Sequence, residues 1–167
     1  TGRLANPLIR EGFKYTGLEI SDKYCIYANK KLQYTINKNV IIQGDMRCFN
    51  IKKKYDKIFI PFNSLLHILN EKDLLETFKC IKIHMHKQSE LYIDIFVPSP
   101  EILYNSKGAP QQRIDFFNSL ENKETIIKEI LHYNEETEIV TVDWLYEFKN
   151  KVYNKFSFDM KIYYPDT

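Results

Sequence analysis

The sequence predicts an α/β fold: a mostly parallel sheet with helices on both faces, followed by an antiparallel meander. Two observations carry this. Strand-like and helix-like runs alternate from Arg3 to residue 98, the order that parallel βαβ units with right-handed crossovers require. From residue 125 onward the helical runs stop and three strand-like runs succeed one another. The length of 167 residues suits one domain with a small appendage and a sizeable core. The change of pattern divides the chain into a core at 1–98 and a second subdomain at 99–167.

Residues 3–10 read as a short helix with Leu4, Leu8 and Ile9 on one side, Pro7 marking a kink or a late start, and Gly12 as C-cap. Residues 15–20 read as a strand. Ser21 then caps a helix with Asp22 in its first turn and Tyr24, Cys25, Tyr27, Ala28 and Leu32 at helical spacing. Strands follow at 40–42, closed by Gly44-Asp45, and at 57–60, ended by Pro61. Residues 71–85 carry an apolar stripe of Leu74, Leu75, Phe78, Ile81 and Met85, the strongest helical signal in the chain. Lys87 to Glu90 read as a turn, and 91–97 as a strand stopped by Pro98.

Residues 99–122 read as polar and irregular, with Gly108, Pro110 and paired glutamines. Strands are then expected at 125–133, 138–148 and 155–164, the first two joined by a hairpin turn at Asn134-Glu135-Glu136-Thr137. Alternation places Val140, Val142, Trp144, Tyr146 and Phe148 on one face, which should pack inward with Trp144 as its anchor.

Net charge is +2, too small to argue for nucleic acid, and Lys52-Lys53-Lys54 reads as a solvated loop. Cys25, Cys48 and Cys80 are odd in number and widely spaced, so neither a zinc site nor a disulfide framework is expected, and a cytoplasmic location fits. No apolar run is long enough to span a membrane. His84 and His86 are not expected to hold a metal, because positions i and i+2 do not share a helical face.

The chemistry concentrates at strand ends. Glu19 closes a strand about one βα unit after Gly2, and a carboxylate there can accept hydrogen bonds from two ribose hydroxyls. Four further runs stand in order: Gln43-Gly44-Asp45-Met46-Arg47, then Tyr55-Asp56-Lys57-Ile58-Phe59-Ile60, then Pro61-Phe62-Asn63-Ser64-Leu65-Leu66-His67, then Leu91-Tyr92-Ile93-Asp94-Ile95-Phe96. With Thr1-Gly2-Arg3-Leu4-Ala5-Asn6-Pro7-Leu8 and Gly17-Leu18-Glu19-Ile20-Ser21, this series resembles the class I S-adenosylmethionine-dependent methyltransferases. It is most similar to their small-molecule branch, which includes sugar-amine and glycine or sarcosine N-methyltransferases. The likeness covers nearly the whole chain.

The resemblance implies a Rossmann-like core whose meander caps the active site, S-adenosyl-L-methionine as cofactor, and a small-molecule acceptor methylated on nitrogen or oxygen. It implies no nucleic-acid or membrane partner. Gly2 would be the last glycine of the cofactor turn, Glu19 would hold the ribose hydroxyls, and Ile20 would lie on the adenine. Asp45 would accept from the adenine amino group, with Met46 beside the ring. Pro61, Phe62 and Asn63 would form the floor beside the transferred methyl. Asn63 and His67 are the candidate catalytic residues, with the meander tyrosines Tyr133 and Tyr146 as further candidate bases.

The resemblance also implies that the family's first strand and most of its glycine turn precede Thr1, so that the chain reads as an internal fragment. The polypeptide alone is then expected to bind the cofactor very weakly and to be marginally stable. Two other readings compete: a non-catalytic binding or scaffold protein that retains the fold, and a dinucleotide oxidoreductase. Gly44-Asp45-Met46 and the meander speak against the second.

Overall fold

The computed structural model describes residues 2–36, 38–104, 109–119 and 121–164, the side chains of 111–113 excepted. Gly108 and the paired glutamine side chains of the expected irregular stretch thus lie outside the described residues. The fold divides into two units, Thr1–Asp56 with Lys72–Glu90 and Lys57–Glu71 with Leu91–Thr167.

In the first unit α1 (Ala5–Arg10) begins later than Arg3, which puts Pro7 in the first turn, where its missing N–H costs no helical bond. Gly12, at φ +87°, turns the chain out of the helix. β1 (Gly17–Glu19) leads to α2 (Asp22–Leu32), whose start is fixed by Ser21 Oγ accepting the Tyr24 N–H at 3.3 Å. Cys25, Ala28, Asn29 and Leu32 are the buried face of α2. Tyr24 and Tyr27, expected on that face, are more than half exposed. Small residues and Asn29 sit nearest the sheet, and the phenol rings turn to solvent.

β2 (Ile41–Gln43) pairs in parallel with β1, from Gly17 opposite Ile41 to Glu19 opposite Gln43. Asn29 completes this pair from the side. Its Oδ1 accepts the N–H groups of Val40 at 3.1 Å and Ile41 at 3.0 Å, and its Nδ2 donates to the Ile41 carbonyl at 2.8 Å. The side chain therefore supplies the bonds that a neighbouring strand would give to Ile41. Ala5, Cys25, Ala28, Leu32, Val40 and Ile41 close the core around it.

α3 (Glu71–Ile83) buries Thr77 and Ile81 and leaves Leu75 exposed, so the predicted stripe is narrower than its apolar residues. The helix stops before His84. The His84 ring is buried, with Nδ1 2.6 Å from the Cys80 carbonyl and Nε2 2.9 Å from the Ile51 N–H. These partners require the proton on Nδ1 and the lone pair on Nε2. Phe49 stacks on the ring at 4.4 Å.

β3 (Tyr55–Ile60) and β4 (Met85–Ile93) form a two-stranded sheet, and each runs from the first unit into the second. β4 starts six residues before the expected Leu91 and ends at Ile93 rather than Val97. Lys87 to Glu90, read as a turn, lie inside it. Their polarity reflects exposure, not a turn: Lys87, Gln88 and Glu90 face solvent, while Ser89 Oγ donates to the Tyr55 carbonyl at 2.6 Å.

In the second unit residues 99–122 are not irregular throughout. They contain α4 (Pro100–Tyr104) and β5 (Pro110–Asn118). β5 is an edge strand held by its backbone register with β6 (Lys123–Asn134), and Ile114, Phe116 and Phe117 stay largely exposed, so burial imposes little hydrophobic pattern on it. β7 (Ile139–Phe148) and β8 (Lys151–Lys161) complete an antiparallel sheet in the order β5-β6-β7-β8. The meander thus has four strands, and β8 starts four residues earlier than expected. Lys149 and Asn150, both at positive φ, form the tight turn before it.

Alternation sorts the two faces of this sheet. Val140, Val142 and Trp144 share one face with Leu131, Tyr133, Phe158 and Met160, packed with Leu103 and Ile162. The other face is mixed, with Ile126, Ile130 and Leu145 among polar side chains. Thr141 donates to Asp159, Asp143 meets Ser157, Lys155 and His132, and Glu147 pairs with Lys128.

Candidate functional site

In the first unit Glu19, Ile20, Asp45 and Met46 stand at or just beyond the C-terminal ends of β1 and β2, the end of a parallel sheet where ligands bind in open α/β folds, whereas Gly2 packs against α2. Glu19 is the last residue of β1, and its Oε1 accepts the Ser21 N–H at 3.0 Å. Among the described residues Oε2 has no hydrogen-bond partner. Beside it the Gly44 N–H donates to the Glu19 carbonyl at 2.9 Å, which ties the turn after β2 to the tip of β1. A Cβ at Gly44 would stand 2.7 Å from Leu18 Cδ1, so glycine allows this approach. Ile20 is 66% exposed and Met46 is half-buried.

Asp45 is in a different condition. Its carboxylate accepts the Arg47 backbone N–H at 2.9 Å, Arg47 Nε at 3.0 Å from both oxygens, and Arg47 Nη2 at 2.6 Å. Arg47 also reaches Asp73 at 3.0 Å. The hydrogen bonds from Arg47 hold the Asp45 carboxyl below the usual carboxylate range. Gly2, at φ +72°, occupies a conformation that side chains rarely adopt, with its Cα side turned to Ala28 and Leu32.

In the second unit the chain leaving β3 is tightly bent. Phe62 (φ 55°) and Asn63 (φ 60°) are consecutive left-handed residues, a conformation costing about 1–3 kcal/mol each for residues with a Cβ. Asp94 offsets this cost. Its carboxylate accepts the Phe62 N–H at 3.2 Å, its carbonyl accepts the Asn63 N–H at 3.1 Å, and its own N–H donates to the Ile60 carbonyl at 3.0 Å. Asn63 Oδ1 accepts the Phe96 N–H at 2.6 Å. Pro61 is half-buried, and its carbonyl accepts Ser64 Oγ–H at 2.7 Å. Phe62 is 52% exposed. Ser64–His67 form a 3₁₀ turn with Leu65 and Leu66 buried, and the exposed His67 ring lies 5.7 Å from Phe158.

A cavity of about 450 Å³ opens in this unit, walled by Leu66, Phe96, Leu131, Val142 and Met160 among other apolar side chains. Among the described residues Asn63 and Glu129 are its polar wall residues. Glu129 Oε2 accepts Trp144 Nε1–H at 2.8 Å. Of the two tyrosines offered as bases, Tyr133 meets Tyr104 edge-on at 5.6 Å, and burial raises its pKa. At neutral pH it is therefore a phenol, able to donate a hydrogen bond and not to serve as a phenolate. Tyr146 packs against Tyr153 at 6.3 Å.

The candidate residues thus fall into two groups, Gly2, Glu19, Ile20, Asp45 and Met46 in the first unit and Pro61, Phe62, Asn63 and His67 in the second. Sequence reasoning assigned no role to Asp94 or Glu129. Asp94 lay inside the strand expected at 91–97, so no strand-end signal marked it, whereas Glu129 was legible by alternation, since it shares a face with Leu131 and Tyr133. Among the described residues no three His, Cys, Asp or Glu side chains converge on a metal site, and no helix is long and apolar enough to cross a membrane.

No protein-family profile matches the chain. A Bacillus subtilis protein described as "Putative methyltransferase YqeM" is 26% identical over 96 residues, 57% of this chain and 38% of that protein. Among solved structures, an S-adenosylmethionine-dependent methyltransferase from Clostridium acetobutylicum matches 98% of this chain at TM-score 0.73 and 20% identity. The sugar N-methyltransferase KedS8 from Streptoalloteichus matches 98% at TM-score 0.72 and 17% identity. The chain spans 64% and 62% of those two structures. It therefore has the α/β, Rossmann-like fold of the S-adenosylmethionine-dependent methyltransferases, the family its motifs resemble.

Proposed function

We propose that the protein binds S-adenosyl-L-methionine and methylates a small-molecule acceptor on nitrogen or oxygen, in the cytoplasm. The observation that carries this reading is Glu19. It stands at the tip of a parallel strand, anchored through Oε1 by the Ser21 N–H, with Oε2 unpartnered among the described residues. That is the condition a diol-binding carboxylate needs: fixed by one oxygen, available at the other.

The residues present fit the cofactor. Glu19 holds the ribose hydroxyls. Ile20 and Met46 offer apolar surface to the adenine, and the exposure of Ile20 leaves room for a ring to cover it. Asp45 accepts from the adenine amino group, in addition to the bonds from Arg47. Gly2 keeps the backbone close to the methionine part. The bend at Pro61, Phe62 and Asn63, held by Asp94, forms the floor beside the reacting centre. Asn63 and His67 orient the acceptor, and residues 99–167 form a subdomain whose antiparallel sheet caps it and excludes water.

When bound, the cofactor supplies a methyl group already activated on sulfur, so the protein has mainly to align and to desolvate. Calorimetry with S-adenosylhomocysteine and with NAD on the full-length gene product tests the reading. Binding of the first alone supports it. Binding of NAD makes the protein an oxidoreductase, and binding of neither makes it a scaffold that keeps the fold.

A further inference from the structure

Glu129 is a carboxylate on the wall of a mostly apolar cavity, and its charge is not compensated from within the described residues. Its one hydrogen-bond partner there is the Trp144 indole, a neutral donor, 2.8 Å from Oε2. Its neighbours on the cavity wall are Leu131, Val140, Val142 and Met160, which neither donate nor carry charge. The other polar wall residue, Asn63, spends Oδ1 on the Phe96 N–H and keeps only amide hydrogens to offer, which suit an acceptor atom. A carboxylate half-buried beside apolar side chains is best met by a cation, and a cation on a small apolar body would satisfy both the charge and the walls. Among the described residues no second and third ligand converge with Glu129 on a metal site.

We infer that Glu129 is the specificity determinant of this cavity, and that it selects a small molecule bearing a protonated amino group over one bearing a neutral hydroxyl. The Trp144 indole fixes the carboxylate rotamer through Oε2 and leaves Oε1 to receive the ammonium. The apolar wall takes the ligand's carbon frame. As an assignment of the acceptor, this rests on the methyl-transfer reading and requires the bound ammonium to lose a proton to solvent before its nitrogen lone pair takes the methyl; as a statement about what the cavity binds, it does not.

Trp144 is the one tryptophan of the chain, so its indole N–H gives a single nitrogen–proton NMR signal that reports on Glu129 directly. Cyclohexylamine, charged at pH 7, and cyclohexanol, its neutral counterpart, are titrated into the full chain without cofactor. The amine should shift that signal saturably, with cyclohexanol about ten-fold weaker, and Glu129→Gln should weaken the amine about ten-fold while leaving the alcohol unchanged. Glutamine keeps an oxygen for the indole, and thermal melting by circular dichroism checks that the variant folds. Equal affinity for the two probes, no shift with the amine, or an unchanged amine affinity in Glu129→Gln overturns the inference. If the variant fails to fold, the wild-type pair of probes decides alone. The experiment is separable from the cofactor test: amine selectivity without S-adenosylhomocysteine binding would leave the cavity assignment standing and remove methyl transfer, and the reverse result would do the opposite.

Discussion

The parallel pair β1–β2 and the antiparallel sheet β5–β8 are built on opposite economies. The pair has two strands of three residues each, and one side chain, Asn29, satisfies three backbone groups along it. The sheet has four strands of nine to twelve residues that satisfy one another through long registers. Their polar groups differ in origin as well. Glu19 and Asp45 stand at or beyond strand ends, where backbone shape decides what they can reach. Glu129 stands mid-strand, where alternation decides which face it takes. Single substitutions should therefore weigh heavily in the pair and lightly in the ladder.

The largest effect that would separate the two regions is at Asn29. Asn29→Leu keeps the branched shape, leaves the Val40 and Ile41 N–H groups without their partner, and leaves the Ile41 carbonyl only the Cys25 S–H. At about 1–3 kcal/mol per buried unsatisfied group, softened by water at the strand edge, we expect a loss of about 3 kcal/mol in urea unfolding. The matching change in the sheet, Thr141→Val, breaks the exposed bond to Asp159 and should cost less than about 1 kcal/mol. Equal losses would mean that the pair is held by its apolar core and not by Asn29.

A smaller effect distinguishes the two strand-end acids. Glu19→Ala should weaken S-adenosylmethionine binding by the full-length gene product at least about ten-fold, near 1.4 kcal/mol. Asp45→Ala should weaken it only about two- to five-fold, because Arg47 already draws on that carboxylate. Calorimetric titration of each variant measures both. Unchanged affinity in Glu19→Ala would remove the anchor of the proposed site.

Much of the fold was legible because burial and capping leave marks in sequence. Ser21, Gly12 and the apolar residues of 138–148 announce their elements by mechanisms that act within a few residues. What escaped was settled by groups remote in sequence. β5 is exposed at an edge, with even its apolar side chains largely unburied, and exists by its register with β6. Lys87 to Glu90 extend because Tyr55 offers a carbonyl to Ser89. α3 stops at Ile83 because the His84 ring finds Cys80 and Ile51. The acid at the strand tip was visible in the sequence, but not the capture of Asp45 by Arg47, although the two stand only two residues apart. A motif gives the residue type at a position, and the rotamer of a neighbouring arginine decides whether that residue is available.

The smallest expected effect compares one acid from each region by pH. Hydrogen bonding to Arg47 lowers the pKa of Asp45, and hydrogen bonding first to Ser157 and then to Lys155 lowers that of Asp143, both from an ordinary 3.8. A depressed folded-state value means that each acid stabilises the fold fully above its unfolded pKa. That contribution is lost as pH falls through the lower folded value. Acid should therefore weaken the protein below about pH 3.8, with both regions contributing. Arg47→Met should return Asp45 towards its ordinary range and leave Asp143 where it is, and Ser157→Ala should do the reverse. Carboxyl-carbon NMR titration resolves the two sites. Because the ladder holds Asp143 by several partners, Ser157→Ala should move it less than Arg47→Met moves Asp45, whose carboxylate is held by Arg47 alone among the described residues. A larger shift at Asp143 would show that the sheet, too, depends on single contacts, and the contrast between the two regions would fail at its polar groups.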